Sequence, residues 1–307
     1  MTSKRRLGQY FTETNPFDHP AFISWACSAR LQNECVLEPF AGANSLIQHL
    51  EEMGLCRSFT SYDIEPADER VMFRNTLESF PEGYSVCVTN PPWLARNSAS
   101  VRGLPFPSCR YDDLYKLALK RCLDNCGHVA ALVPESFIRA GLFQARLSTF
   151  VSLTSKLFPD TGHPVGLALF GPNQFGDVRV WSGETEIGLL SSLERFRPRP
   201  KGDGPAIRFN QPDGNVGLIA LDGAIGPSIR FCDVEELDGY VVKPSGRHIT
   251  KIRVEGTIDI PACNEVLRHF RELTQDVLLT SYKGIRRDGR YRRRLDWPAA
   301  RGIIHHA

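Results

Sequence analysis

The stretch Val86-Cys87-Val88-Thr89-Asn90-Pro91-Pro92-Trp93 carries the most specific chemistry in the chain. Its Val-rich half reads as a buried strand. Two consecutive prolines stop it, because they lack the N–H donor a central strand needs. The first proline also biases Asn90 towards an extended backbone. Asn90 is therefore expected at a strand tip, with stiff backbone at Pro91 and Pro92 and the Trp93 ring beside it. Such a tip can clamp a flat polar group. The Asn90 side-chain oxygen and a neighbouring backbone carbonyl are two acceptors, and a planar –NH2 offers two donors. Trp93 could stack on the ring that bears the amine.

Two acidic residues stand where other strands should end. Residues 35–44 read as strand, tight turn through Glu38-Pro39-Phe40-Ala41-Gly42, then a helix starting near Ser45, running over 46–53 and closing at Gly54. Strand, glycine turn and helix form the generic nucleotide site of doubly wound sheets. No Gly-x-Gly-x-x-Gly spacing is present, which disfavours a dinucleotide phosphate cradle. Residues 59–64 are the next strand. Asp63 near its end, about twenty residues past the glycine turn, can accept both hydroxyls of a ribose, and Ile64 can pack on an adjoining base. At the other end of the chain, Lys283, Arg286, Arg287, Arg290, Arg292, Arg293 and Arg294 are interleaved with Tyr282, Tyr291 and Trp297. Cations bind phosphates without sequence preference, and aromatics stack or pack.

The elements that must position these residues can be followed along the chain. A helix is expected over 20–30, ahead of the first strand. After the Asn90 tip, residues 94–110 are rich in Ser, Arg, Pro and Gly and have no period. A long structureless loop beside a site is usually functional, and this one, with Arg96, is expected to close over a nucleic-acid strand. A helix should span 111–123, with acids in its first turn, followed by a buried strand over 127–134, a helix near 140–150 and a strand over 151–157; residues 156–159 and 162–170 look like a hairpin. Residues 197–205 (Arg-Pro-Arg-Pro-Lys-Gly-Asp-Gly-Pro) read as a linker. Beyond it come short apolar strands in a turn-rich region, and a helix over 260–273. The domain division expected is 1–183 and 184–307.

Length and composition bound the rest. A chain of 307 residues, 42% hydrophobic and 23% charged, is globular and long enough for one large or two ordinary domains. No apolar run reaches a membrane span, and the N-terminus lacks the apolar core of a signal peptide. Nine irregularly spaced cysteines suit a reduced intracellular protein. Cys122 and Cys126 lack the further ligands a zinc site needs, so no metal is expected. Net charge is +2. The last 27 residues hold eight Lys/Arg and two Asp, an excess of six positive charges that leaves the rest of the chain at −4. A basic end on a mildly acidic body points to a polyanion.

The Asn90-Pro91-Pro92-Trp93 tip resembles the catalytic motif of amino-methyltransferases that use S-adenosylmethionine. Gly8-Gln9-Tyr10-Phe11-Thr12 is similar to the N-terminal cofactor motif of one class of DNA adenine methyltransferases, in which the cofactor segments precede the catalytic one. The likeness runs over about residues 8–170, with at least five segments in order. It implies a doubly wound, Rossmann-like class I methyltransferase sheet of the α/β class, mostly parallel with a terminal antiparallel hairpin, and a smaller C-terminal α+β DNA-binding region. It also implies S-adenosyl-L-methionine as cofactor. Gln9, Tyr10 and Thr12 would then meet the cofactor, Thr12 holding the methionine carboxylate. Glu38 would take the ammonium by charge-assisted hydrogen bonding, beside Pro39 and Gly42, and Asp63 and Ile64 would hold the ribose and adenine. The family usually has an acidic residue where this chain has Asn75, which can still accept from the adenine amine. Phe158 matches the aromatic that stacks on an extruded base.

The activity implied is methyl transfer to the exocyclic amine of adenine in DNA after base flipping. Duplex DNA is the expected partner, with single-stranded DNA as a further one, for a monomer working in the cytoplasm. Only about 120 residues follow Gly183, modest for a dedicated recognition domain, which points to short or relaxed sequence specificity. Methylation of an RNA adenine or a protein glutamine remains an alternative, and so does a non-catalytic DNA-binding protein.

Overall fold

The computed structural model describes residues 15–154, 157 and 162–307. The chain divides into two compact units, one up to Glu186 and one from Ile187 onward.

In the first unit, the helix Pro20–Ser28 (α1) begins with proline at its first turn, and the His19 ring accepts from the Ala21 N–H at 3.1 Å. Then follow Cys35–Glu38 (β1), Ser45–Glu52 (α2), Ser58–Asp63 (β2), Val71–Phe73 (β3), Val86–Thr89 (β4), Arg96–Val101 (α3), Leu114–Asn125 (α4), His128–Pro134 (β5), Leu147–Leu153 (β6), Val165–Phe170 (β7), Arg179–Ser182 (β8) and Thr185–Leu189 (β9), the last of which carries the chain past the boundary. Among the described residues these strands form one nine-stranded sheet in the order β3-β2-β1-β4-β5-β7-β6-β8-β9. Strands β3, β2, β1, β4 and β5 are mutually parallel; β7 runs antiparallel to both β5 and β6. This is the mostly parallel, doubly wound sheet with an antiparallel hairpin that the sequence led us to expect.

Period-two alternation explains why both faces are covered. Val36, Val86 and Val88 pack into one cluster with Phe22 and Trp25 of α1 and Ile47 and Leu50 of α2. The intervening Cys87 meets Cys122 and Cys126 at the end of α4 on the opposite face. All four residues of β4 are buried, as a central parallel strand requires. Gly166 on β7 is needed where it stands: a Cβ there would lie 2.2 Å from the Phe150 ring.

Two expectations are corrected. Residues 140–150 are not a helix. Two short 3-10 turns, Glu135–Ala140 and Gln144–Arg146, lead into β6, which starts at Leu147 rather than 151. Leu147, Phe150, Val151 and Leu153 are wanted by the sheet core, and Gly141 breaks any helix with φ of +66°. The 94–110 segment is not wholly irregular either, since it holds α3.

The second unit contains Leu190–Glu194 (α5), Ile207–Phe209 (β10), Val216–Ile219 (β11), Arg230–Asp233 (β12), Ile249–Val254 (β13), Ile260–Thr274 (α6), Thr280–Ile285 (β14), Tyr291–Arg294 (β15) and Trp297–Ile304 (α7). A four-stranded antiparallel sheet has the order β10-β13-β11-β12, and β14 pairs with β15 as a hairpin. Asp259 caps α6 and Asp296 caps α7 through the Ala262 and Ala299 N–H groups.

Asp222, fully buried, is the hub of this unit. Its Oδ1 accepts from the N–H groups of Ser228 and Ile229 and from Arg271; its Oδ2 accepts from Arg271, from Arg286 at 2.7 Å and from the Arg293 N–H. Arg271 also grips Asp276 with two bonds, and Arg286 grips Asp288. Burial alone would raise the Asp222 carboxyl, but the guanidinium groups of Arg271 and Arg286, with the Ser228 N–H, outweigh it and hold it below the ordinary aspartate range.

Candidate functional site

In a strand order of 3-2-1-4-5, the chain reverses direction across the sheet between β1 and β4, and a crevice opens beyond their carboxyl ends. The register pairs Val36 with Val86 and Leu37 with Cys87, so Glu38, ending β1, and Asn90, one residue past β4, emerge side by side. Asp63 ends β2, on the other flank of β1. Glu38, Gly42, Asp63, Ile64, Asn75, Asn90 and Pro92 all line one cavity of about 570 Å³, well inside the range of small-molecule sites.

The glycine turn is built for this. Gly42 has φ of +51° and donates its N–H to Asp63 Oδ2 at 2.8 Å, while Asp63 Oδ1 accepts from the Glu65 N–H at 2.8 Å. Burial raises the Asp63 carboxyl above its ordinary value, against the pull of these N–H groups. Asn44, left-handed at φ 61°, accepts from the Ser61 hydroxyl at 2.7 Å and starts α2. Thr76 donates its hydroxyl to the Pro39 carbonyl at 2.7 Å, fixing the floor beside Asn75.

Glu38 is the most unusual group. It is 1% exposed, and neither carboxylate oxygen has a hydrogen-bond partner of good geometry. Desolvation pushes its carboxyl well up; the Thr89 hydroxyl and the Phe40 and Asn90 N–H groups lie close enough to oppose this only in part. A buried acid in this state stays neutral unless a cationic donor pairs with it.

The loop after the tip forms the facing wall through Pro105, Phe106 and Cys109, with Leu117 and Arg121 of α4 beside them. Arg96, half-buried, is tied into the loop itself. It donates to the carbonyls of Cys109 and Tyr111, both at 2.6 Å, and its guanidinium lies 4.5 Å from the Phe106 ring centroid. It staples the wall, because a guanidinium offers several donors that these loop carbonyls satisfy. Asp113 ties the tip's exit to α4, accepting from the Leu94 and Tyr115 N–H groups at 3.1 and 3.3 Å. Burial pushes its carboxyl up to about 6. The folded state therefore holds a proton that the unfolded chain, titrating near 4, has lost, and stability falls as pH rises between about 4 and 6. Asp113→Asn keeps the cap oxygen and should abolish that fall, worth about 2–3 kcal/mol; urea titrations at a series of pH values check it.

Trp93 and Pro91 are placed differently from the clamp expected. Trp93 is half-buried and packs against the cluster of α1, α2 and the sheet. Neither Trp93 nor the buried Pro91 lines the cavity, whereas Pro92 does. Gln9, Tyr10, Thr12 and Phe158 lie outside the described residues. The basic segment is an ordered hairpin, and its cations divide. Lys283, Arg287 and Arg290 are exposed, and Arg292 and Arg294 half-buried. Arg286 and Arg293 differ from the exposed phosphate-facing cations expected: they are 3% and 6% exposed, Arg286 serves Asp222 and Asp288, and the Arg293 side chain bonds Ser281. Tyr291 is buried, and Trp297 stacks on Phe209. The wall residues and Arg121 were not read from the sequence, since nothing in a loop without period marks which side chains turn inward.

Among the described residues no cluster of His, Cys, Asp and Glu is placed to hold a metal ion, and no helix is long and apolar enough to cross a membrane.

The strand order and the crevice at its switch point define a doubly wound, Rossmann-like α/β sheet. No protein-family model and no curated protein matches the chain. Among solved structures it is similar to a class I S-adenosylmethionine-dependent methyltransferase candidate from Listeria monocytogenes, at 14% identity over 54% of this chain and 64% of that one, with a TM-score of 0.38. It is similar also to the EcoKI M protein of a type I restriction enzyme, at 17% over 50% and 46% with a TM-score of 0.37. A third is the methyltransferase subunit of a type I restriction-modification system from Streptococcus thermophilus, at 14% over 62% and 52% with a TM-score of 0.38. The chain thus spans about half the length of the latter two proteins.

Proposed function

We propose that the chain transfers a methyl group from S-adenosylmethionine to the exocyclic amine of adenine in DNA. The observation that carries this is the convergence of Glu38, Asp63 and Asn90 on one cavity at the switch point. The residues fit the cofactor. The buried, unpartnered Glu38 carboxylate suits an ammonium, Asp63 at the end of β2 places a carboxylate where ribose hydroxyls would lie, Ile64 offers an apolar edge to an adenine, and Asn75 an acceptor for its amine. When bound there, the cofactor supplies a methyl group activated on a sulfonium sulfur.

The rest is the work of the chain. An adenine amine is a poor nucleophile because its lone pair is delocalised into the ring. An acceptor at Asn90, which lines the cavity, would hold an amine proton and favour a more tetrahedral nitrogen, with the lone pair turned towards the methyl. Positioning and fixed dipoles lower the barrier. Asn90 cannot act as a base near neutrality, so the proton leaves to water with or after transfer. In a duplex the amine is paired, so the base must be extruded, at a cost on the order of a few kcal/mol.

The test is tritium transfer from labelled cofactor to duplex DNA, RNA or protein, with the product nucleosides identified by mass. N6-methyladenine in DNA supports the reading; transfer only to RNA adenine or protein glutamine, or cofactor binding without transfer to any of the three, overturns it.

Two expectations attach to the reading. Because burial pushes the Glu38 carboxyl up and an ammonium favours its ionised form, cofactor binding should be accompanied by proton release and weaken as pH falls. Calorimetry in buffers of different ionisation enthalpy measures that release, and Glu38→Gln should remove it while lowering affinity by roughly 10²–10³-fold. For DNA, five cations of the β14–β15 hairpin (Lys283, Arg287, Arg290, Arg292 and Arg294) reaching phosphates would give a log–log salt slope of roughly −4 to −5. Arg287→Ala and Arg290→Ala should each flatten it by about 1.

A further inference from the structure

A second cavity, of about 360 Å³, lies wholly within the C-terminal unit. Its walls come from Asn210 after β10, from Gly246 and Arg247 in the turn before β13, and from Arg294, Asp296 and Trp297 where β15 meets α7. Methyl transfer as derived above makes no use of it.

Each wall is held by local chemistry. Asn210 adopts a left-handed backbone at φ 59°, with its N–H bonded to the Thr250 hydroxyl at 2.9 Å. Its amide donates to the carbonyls of Pro244 at 2.9 Å and Gly246 at 3.2 Å, which pins the turn. Both donors are thereby spent, and its buried Oδ1 has no hydrogen-bond partner. Trp297 stacks on Phe209 with centroids 4.7 Å apart and planes 8° from parallel, so its indole is fixed in orientation. Asp296 is committed to the Ala299 N–H at 3.0 Å and the Thr280 hydroxyl at 3.2 Å. Arg247 is exposed at the rim and Arg294 half-buried in the wall. Burial, with Arg294 and Arg292 nearby, depresses the basicity of the adjacent His248, in keeping with a positive field on this side.

A rigid aromatic plane, two guanidinium groups and a buried acceptor lacking a donor select for a ligand that is flat at one end, anionic at the other and bears an N–H. We infer that this cavity binds a nucleotide, its base against Trp297 and Asn210 and its phosphate at Arg247 and Arg294. An acidic peptide would leave the plane unused, and a bare phosphate would ignore both Trp297 and Asn210. The nucleotide can belong to a DNA strand or be free. The first source rests on the DNA reading above; the pocket chemistry does not.

The full chain is irradiated with a short single-stranded oligodeoxynucleotide bearing 5-iodouracil, and the crosslinked peptide is mapped by mass. The expected crosslink falls on the peptide containing Trp297. Arg247→Ala, at an exposed position, should weaken oligonucleotide binding roughly ten-fold with no change in melting temperature, and Trp297→Phe should weaken it less than Trp297→Ala. Competition by a deoxynucleoside monophosphate as effective as by unlabelled oligonucleotide identifies a free nucleotide as ligand; competition by the oligonucleotide alone identifies a strand. Crosslinks only elsewhere, inorganic phosphate competing as well as the mononucleotide, or unchanged binding by both Arg247→Ala and Trp297→Phe would overturn the inference. Cofactor titration and methyl transfer are read separately, so failure here leaves the first cavity's function standing, and failure there leaves this crosslink interpretable.

Discussion

Alanine at position 90 is expected to lower methyl transfer to DNA by at least roughly 10²–10³-fold, the cost of removing one preorganised polar partner from a reacting group. Cofactor affinity should stay within a few-fold, because Glu38 and Asp63 reach the cavity from β1 and β2, whereas Asn90 follows β4. Asn90 follows a strand buried on both faces and precedes two prolines, so truncating its side chain changes no backbone bond of the ladder. Calorimetry with the cofactor and single-turnover tritium transfer give the two quantities independently. Transfer persisting at the parental rate removes Asn90 from the chemistry; loss of both binding and transfer would assign it to the cofactor instead.

Asp222→Ala should unfold the C-terminal unit. The substitution takes the acceptor from two buried or half-buried guanidiniums, Arg271 and Arg286, and from the N–H groups of Ser228, Ile229 and Arg293. Breaking a buried pair by removing one partner costs about 3–5 kcal/mol, a large share of a domain's margin. Limited proteolysis should cut the region after residue 187 while cofactor binding by the first unit survives; resistance equal to the parent protein would show the hub to be dispensable. The same hub sets an acid limit. The folded carboxyl lies below its ordinary value, so its stabilisation is fully present above about pH 4 and is lost as pH falls further through the depressed folded value. Asp222→Asn should remove that acid dependence.

The first unit was legible because its signals are local and chemically explicit. A Val-rich run ended by two prolines has little choice but to be a central strand with a polar tip, and acids closing β1 and β2 fall where a parallel sheet opens. An aromatic next to a polar tip, such as Trp93, reads equally well as a platform or as core, and its packing against the cluster of α1 and α2 depends on elements that no local pattern encodes. The helix expected near 140–150 failed because apolar spacing in Leu147–Leu153 fits both periods, and pairing of β6 with β7 and β8 decided it. The basic segment looked uniform in sequence. What separated Arg286 from Arg287 was Asp222, 64 residues away from the former, and charge counting sees no such partner.

Because Glu38, Asp63 and Asn90 issue from strands that lie next to one another in a parallel ladder, their separation is fixed by the roughly 4.8 Å spacing between strands and not by the length of chain that joins them. The connecting loops are thus free to lengthen, to be cut, or to have their ends rejoined in another order without moving the three groups apart. A circularly permuted protein opened in the exposed segment between β2 and β3 would present the same triad in a different order along the chain.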